Sequence, residues 1–275
     1  MINRDDSVVE GFGQEWSAFD HAGAKAEGLE RSFAAYFAIF PWAKLPALAK
    51  GFDLGCGSGR WARFVAPKVG ELHCIDASHE ALAVARNNLQ GFSQVRFHLT
   101  SVEAIPLPDD SMDFGYSLGV LHHVPDTAAG LAACVRKLRR GAPFLVYLYY
   151  AFDNRPGWFR AIWKASDLAR RLICCLPFGL KRVVCEILAA ILYWPLARLA
   201  LAGEAIGFNV GNWPLSAYKT SSFYVMRNDS LDRFGTRLEQ RFTRREIEAM
   251  MRQAGLGQIQ FSEAEPFWCA VGYKL

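Results

Sequence analysis

The sequence predicts an α/β protein: a doubly wound, mostly parallel sheet with a helical insertion after the fifth strand. Three observations carry this. Short apolar runs alternate with helical stretches between about residues 47 and 150, the pattern of strands joined by crossover helices. A glycine-rich turn, Gly55-Cys56-Gly57-Ser58-Gly59, follows the first run. A capping box, Thr243-Arg244-Arg245-Glu246, opens a last helix before two more strand-like runs, which brings the strands to seven.

Taken in order, residues 1–24 are polar and glycine-bearing, with partial flexibility expected. Their aromatic patch Phe12-Gly13-Gln14-Glu15-Trp16 suits either local packing or a lid. Phe33, Tyr36, Phe37 and Phe40 repeat at helical spacing between Lys25 and Ala43, and Pro41 and Pro46 end that region. Lys50–Leu54 is the first strand, with Arg60–Val69 its helix. Glu71–Ile75, ending in Asp76, is the second. Ser78 caps a helix running to Asn88. Val95–Leu99 and Asp113–Leu118 are the third and fourth strands. A helix over Thr127–Arg139 stops near Gly141, and Pro143–Tyr149 is the fifth strand. The last helix runs to Ala254, and Gln258–Phe261 and Trp268–Tyr273 finish the sheet. The division is then 1–46 as an N-terminal lid or helical segment, 47–150 as the core, 151–242 as a mainly helical insertion, and 243–275 as the completion of the core.

Composition narrows the function. A chain of 275 residues, 52% apolar and with a net charge of +4, buries a sizeable core. The basic clusters are small, so nucleic acid is not an expected partner. Seven cysteines without a C-x-x-C pair suggest buried thiols in a reducing, cytoplasmic setting, and no metal framework. Met1–Glu10 lacks the apolar run of a signal peptide. Val183–Ala202 is membrane-like, but Glu186, Pro195 and Arg198 interrupt it. The insertion, mostly helical over Ile162–Ala202 with breaks expected near Pro177 and Pro195, has three uses open to it. It could cap a substrate cleft, form an oligomer face such as a homodimer, or make peripheral membrane contact through Arg170, Arg171, Lys181 and Arg182 beside apolar residues.

The glycine turn departs from the dinucleotide fingerprint G-x-G-x-x-G, because Arg60 stands at its sixth position and a glycine at its fifth. Asp53 lies two residues before the first glycine. The stretch resembles motif I of the class I S-adenosylmethionine (SAM)-dependent methyltransferases, D-x-G-x-G-x-G. A second stretch, Asp109-Asp110-Ser111-Met112-Asp113-Phe114 followed by Leu118-Gly119-Val120-Leu121-His122-His123, resembles the small-molecule, ubiquinone-biosynthesis type of that family. The likeness covers about residues 47–150 closely and 243–275 by pattern. It implies a Rossmann-like sheet with an antiparallel last strand, SAM as cofactor and S-adenosylhomocysteine as its product.

Site residues follow from the motifs. Gly55, Gly57 and Gly59 let a ligand approach the backbone, and Asp53 belongs to the same motif. Asp76, at the end of the second strand, suits ribose hydroxyls. By the resemblance, Ser101 and the Val102 N–H meet the adenine, with Ser101 standing where the family has aspartate, and the Leu118 carbonyl takes the amino group of SAM. His123 first, then His122, are candidates for the base that takes a proton from the acceptor. Tyr150, Tyr218, Tyr224 and Arg227 are candidates for acceptor binding. The resulting reading is methyl transfer to a small-molecule acceptor, with oxygen favoured over nitrogen or sulfur. Rival readings are a non-catalytic SAM-binding or interaction protein, a methyltransferase for a lipid-like or macromolecular substrate, and an NAD-linked oxidoreductase, the last disfavoured by Arg60.

Overall fold

A computed structural model describes residues 3–18 and 26–275. Residues 3–18, 26–151 and 238–275 form one compact unit, and residues 152–237 a second.

The first unit is built on a seven-stranded sheet in the order β3-β2-β1-β4-β5-β7-β6. The strands are β1 (Lys50–Leu54), β2 (Glu71–Asp76), β3 (Val95–Leu99), β4 (Phe114–Leu118), β5 (Pro143–Tyr147), β6 (Leu256–Phe261) and β7 (Cys269–Lys274). The first five are parallel, whereas β7 runs antiparallel to both β5 and β6. The chain winds outward from β1 to β3 and then returns to β4, on the other side of β1. That reversal opens a crevice at the carboxyl ends of β1 and β4, where open α/β sheets bind ligands. Phe52, Phe114, Tyr116 and Phe144 are fully buried on the central strands, as expected of strands covered on both faces.

The helices of this unit are α1 (Asp6–Ala18), α2 (Ala26–Tyr36), α3 (Ala62–Val65), α4 (His79–Asn88), α5 (Thr127–Lys137) and, after the second unit, α10 (Arg244–Gln253). Ser78 caps α4 through the Ala81 N–H, and the capping box at Thr243 and Glu246 is complete. The structure shortens three predicted elements. The helix expected over Arg60–Val69 is α for only Ala62–Val65 and tightens to 3-10 at Ala66–Lys68, where Pro67 has no N–H to give. The helix expected up to Ala43 stops at Tyr36. Strand β5 ends at Tyr147, two residues early. Part of the N-terminal stretch expected to be flexible is the helix α1. Asp5 starts it, with its carboxylate accepting from Ser7 and Val8 N–H. Of the aromatic patch, the Phe12 side chain is described; those of Gln14, Glu15 and Trp16 lie outside the described residues.

The second unit is helical: α6 (Gly157–Ile173), α7 (Phe178–Leu188), α8 (Trp194–Ala205) and α9 (Phe223–Gly235). The expected break at Pro177 is present, but the one at Pro195 is not. A π-helical turn over Ala189–Tyr193 joins α7 to α8, and Pro195 falls in the first turn of α8. Helix therefore runs unbroken over Phe178–Ala205, 28 residues that include an 18-residue stretch of mean hydropathy 1.7, and among the described residues it alone is long and apolar enough to cross a membrane.

Packing across the sheet is tight at the glycines of β1 and β4. A Cβ on Gly115 would stand 2.4 Å from Phe52 Cζ and 3.1 Å from Phe144 Cδ2. Gly115→Ala should therefore cost about 1–3 kcal/mol by forcing two buried rings apart. A lower urea midpoint with an unchanged slope is the expected result.

Candidate functional site

The site begins where β1 ends. The Gly55 and Cys56 N–H groups both donate to the Ile75 carbonyl, at 2.7 and 3.1 Å, so the turn is pinned to the end of β2. Gly55, Gly57 and Gly59 have φ of 74°, 53° and 76°, a region that side-chain-bearing residues avoid. A Cβ on Gly55 would also stand 2.3 Å from Val120 Cγ2. Asp76 completes the lock: Oδ2 accepts from Gly57 N–H and Oδ1 from Ser78 N–H, both at 2.9 Å. Burial raises the Asp76 pKa, while those bonds and one from Ala77 act against the rise.

Over this frame lies a pocket of about 920 Å³, counted to its open mouth. Its floor and walls include Gly55, Gly57, Asp76, Ser101, Val102, Leu118 and His123, so seven expected site residues meet in one place. Asp53, Gly59 and His122 do not line it. Gly59 turns instead toward Leu89 of the α4 layer. Asp53 lies fully buried beneath the turn. Burial, only partly offset by the neighbouring Tyr116 hydroxyl and Arg60, pushes its pKa up to about 8, and Asp53 Oδ2 completes no hydrogen bond. A neutral carboxyl at pH 7 follows.

The two histidines divide their tasks. His122 is fully buried, with its ring stacked on Tyr149 at 3.8 Å between centroids. Burial first, and then His123 and Arg241, hold its pKa well below the usual imidazole range, so it is neutral. Its Nδ1 accepts the Tyr149 N–H at 3.3 Å. His123 lines the pocket and sits 2.7 Å through Nδ1 from the Leu238 carbonyl. A carbonyl only accepts, so Nδ1 carries a proton in that bond, and the tautomer it selects for the neutral ring has its lone pair on Nε2.

Several pocket residues were not among the expected site residues. Asn3, Arg4, Asp5, Val8 and Val9 put the first turns of α1 in the pocket wall together with Phe12, a member of the aromatic patch for which a lid was one reading, its ring 4.9 Å from that of His123. Asn3 fastens this end by two reciprocal bonds: Nδ2 donates to the Asp126 carbonyl at 2.7 Å, and Oδ1 accepts Asp126 N–H at 2.8 Å. The signal was present in Asp5 as a cap before Val8, Val9 and Phe12 at helical spacing. Segment 238–242 is the second omission. Besides the Leu238 carbonyl, the Gln240 N–H donates to the His122 carbonyl, and Gln240 Nε2 donates to the Val124 carbonyl at 2.7 Å. Arg60 also lines the pocket, its guanidinium 4.7 Å from the Trp61 ring centroid.

None of the acceptor-binding candidates lines this pocket. Tyr150 bridges to Phe242 in the first unit, its ring 5.8 Å from Phe267. Tyr218, Tyr224 and Arg227 belong to the second unit, where Tyr218 meets Tyr193 at 5.4 Å and Arg227 pairs with Glu186. Among the described residues no group of three or more His, Cys, Asp or Glu side chains could hold a metal.

Asp53 gives this site a stability signature. Its folded pKa of about 8 lies above the ordinary 3.8. Its contribution is thus complete below the unfolded pKa and is lost as pH rises toward and through 8. Asp53→Asn should flatten that loss, so the two proteins diverge in urea midpoint above about pH 4. Parallel midpoints from acid to pH 9 would contradict the assignment.

Comparison with known proteins gives these structural findings a family context. Residues 52–146 match the "Methyltransferase domain" family model. An uncharacterised methyltransferase of Bacillus subtilis is 34% identical over 104 residues, covering 37% of this chain and 41% of that protein. A ubiquinone biosynthesis O-methyltransferase of an Azoarcus strain is 32% identical over 132 residues, covering 47% of this chain and 54% of that protein. The chain thus spans about half the length of these curated relatives or less. A SAM-dependent methyltransferase structure from Thermotoga maritima superposes with a TM-score of 0.50 at 15% identity, covering 95% of this chain and 99% of that one, which shows a shared fold.

Proposed function

We propose that this chain, whose residues 52–146 match the methyltransferase-domain model, transfers a methyl group from SAM to a hydroxyl of a small-molecule acceptor. The observation that carries the reading is the meeting of Asp76, the glycine turn and His123 in one pocket.

The residues present fit the cofactor. Asp76 retains lone pairs beyond the two spent on Gly57 and Ser78, enough to accept from a ribose diol. The positive φ angles and the absence of Cβ atoms at Gly55 and Gly57 let a ligand lie on the backbone. Ser101 and Val102 flank the site on the β3 side, suited to the adenine. The Leu118 carbonyl, at the end of β4, suits a cationic amino group. When bound, SAM supplies an activated methyl on a sulfonium, together with a good leaving group.

The chain's own residues then have limited work. The pocket would orient the acceptor beside the methyl donor, and residues of α1 in its wall would help to exclude water. His123 Nε2 would take the acceptor's hydroxyl proton as the methyl is transferred. The Leu238 carbonyl stabilises the protonated imidazole by keeping its Nδ1–H bond. His122 is a positioning residue, packed between Tyr149 and the loop. An acceptor that must lose a proton accounts for an imidazole in the pocket whose Nδ1 is engaged by the Leu238 carbonyl. The O-methyltransferase relative supports oxygen as the acceptor atom.

Calorimetric titration tests the cofactor. SAM and S-adenosylhomocysteine should bind and NAD should not, and Asp76→Ala should weaken SAM by about tenfold or more. Unchanged affinity in that variant would sink the assignment. With an acceptor in hand, His123→Ala should lower turnover about a hundredfold while SAM affinity stays within a few fold. Full turnover would remove His123 as the base.

A further inference from the structure

We propose that the second unit docks on the surface of an anionic lipid bilayer through α6 and the outer face of α7–α8. The inference rests on exposure, periodicity and charge, and is independent of the reaction.

Among the described residues 19 large apolar side chains are exposed, and 16 of them lie between residues 152 and 237. A scattered surface leucine needs no explanation, but such concentration in one unit does. On α6 the exposed Trp158, Ile162, Leu168 and Leu172 fall within an arc of about 120° at helical periodicity. Arg160, Lys164 and Arg171 form a stripe along one border of that arc. Its other border is the buried side of the helix, held by Arg170 through Asp167 and the Thr236 carbonyl. The continuous helix α7–α8 adds Leu180, Val183, Ile187, Ile191, Trp194 and Leu201, all exposed. Its buried side carries mostly small residues, such as Ala189, Ala197, Ala200 and Gly203. Large apolar groups thus face outward and small ones inward, the reverse of an ordinary amphipathic helix in water.

Charge selects the occupant. Residues 152–237 hold 12 Lys and Arg against 6 Asp and Glu, a net +6, whereas the whole chain carries +4. A second copy carries the same basic stripe and the same net positive charge, which works against pairing of two like faces. An anionic bilayer attracts that stripe, accepts the apolar arc beneath it, and places Trp158 and Trp194 at the level of the headgroups. A spanning arrangement of α7–α8 is excluded by its neighbours. Glu186 is paired with Arg182 and Arg227, and α9, which packs on α7, carries Arg227, Asp229, Asp232 and Arg233. Those charges suit an interface and not hydrocarbon.

The test is co-sedimentation of the full chain with vesicles of phosphatidylcholine alone or mixed with phosphatidylglycerol. Binding should require phosphatidylglycerol and fall as salt rises. Arg160→Ala combined with Lys164→Ala, at exposed positions, should weaken partitioning about tenfold or more. Ile162→Ser combined with Leu172→Ser should abolish it, with circular dichroism and the urea midpoint unchanged. Absence of binding to both vesicle types would overturn the proposal, as would equal binding to both. A dimer in sedimentation velocity that Ile162→Ser and Leu172→Ser dissociate, without vesicle binding, would reassign the face to a second copy.

Discussion

The carboxylate of Asp76 is the constraint on which the site depends. The glycine turn between β1 and α3 has no intrinsic reason to hold one shape, since glycine gives up more conformational freedom than any other residue. Two backbone N–H groups, from Gly57 and Ser78, converge on that one side chain and draw the turn onto the end of β2. Bonds of this charge-assisted kind contribute roughly 1.5–3 kcal/mol each, against the burial that raises the Asp76 pKa. The same carboxylate faces the pocket. An amide or alanine at this position would therefore disturb the loop and the pocket wall together.

A second constraint comes from the far side of the insertion. The Phe242 N–H donates to the Tyr149 carbonyl and the Ala151 N–H donates to the Phe242 carbonyl, so the two ends of the excursion are tied side by side. The cost of closing a loop grows only slowly with its length, so a long insertion is tolerated once its ends are anchored. The anchor also delivers Leu238 and Gln240 to the histidine loop. The tautomer of His123 is set by a carbonyl that lies 115 residues away along the chain. A hydrophobic wall could pack against this loop equally well, but it could not choose which ring nitrogen holds the proton.

The parts of the structure legible in the sequence are those with a local signature. Strands β1 to β4, the cap at Ser78, the box at Thr243 and the acid ending β2 each announce themselves within a few residues. The central pocket was legible for the same reason, since its residues close successive strands of one sheet. Segment 238–242 was not, because it pairs through isolated backbone bonds without periodicity. Helix α1 was missed because its glycines and acids read as irregular, whereas Asp5 caps it and Asn3 ties it to Asp126. Asp53 and His122 were read as site groups by their neighbours in sequence. Strand alternation and stacking on Tyr149 put them behind the pocket wall.

The apolar insertion shows a further limit on reading burial from composition. An apolar helix with a 3.6-residue repeat is normally assigned its large side chains to the core. In α7–α8 the small residues occupy that side, and the Ser230 hydroxyl of α9 reaches the Cys185 carbonyl at 2.9 Å. Such a bond to a helix backbone requires close approach, which small side chains permit and large ones prevent. Once the inner face is committed to close contact with the polar helix α9 along α7, and with Val210 and Trp213 beside Gly203 of α8, the large residues have only the outer face left. Water does not favour that arrangement, so its presence on a helix bordered by a net positive unit is evidence about what the face meets.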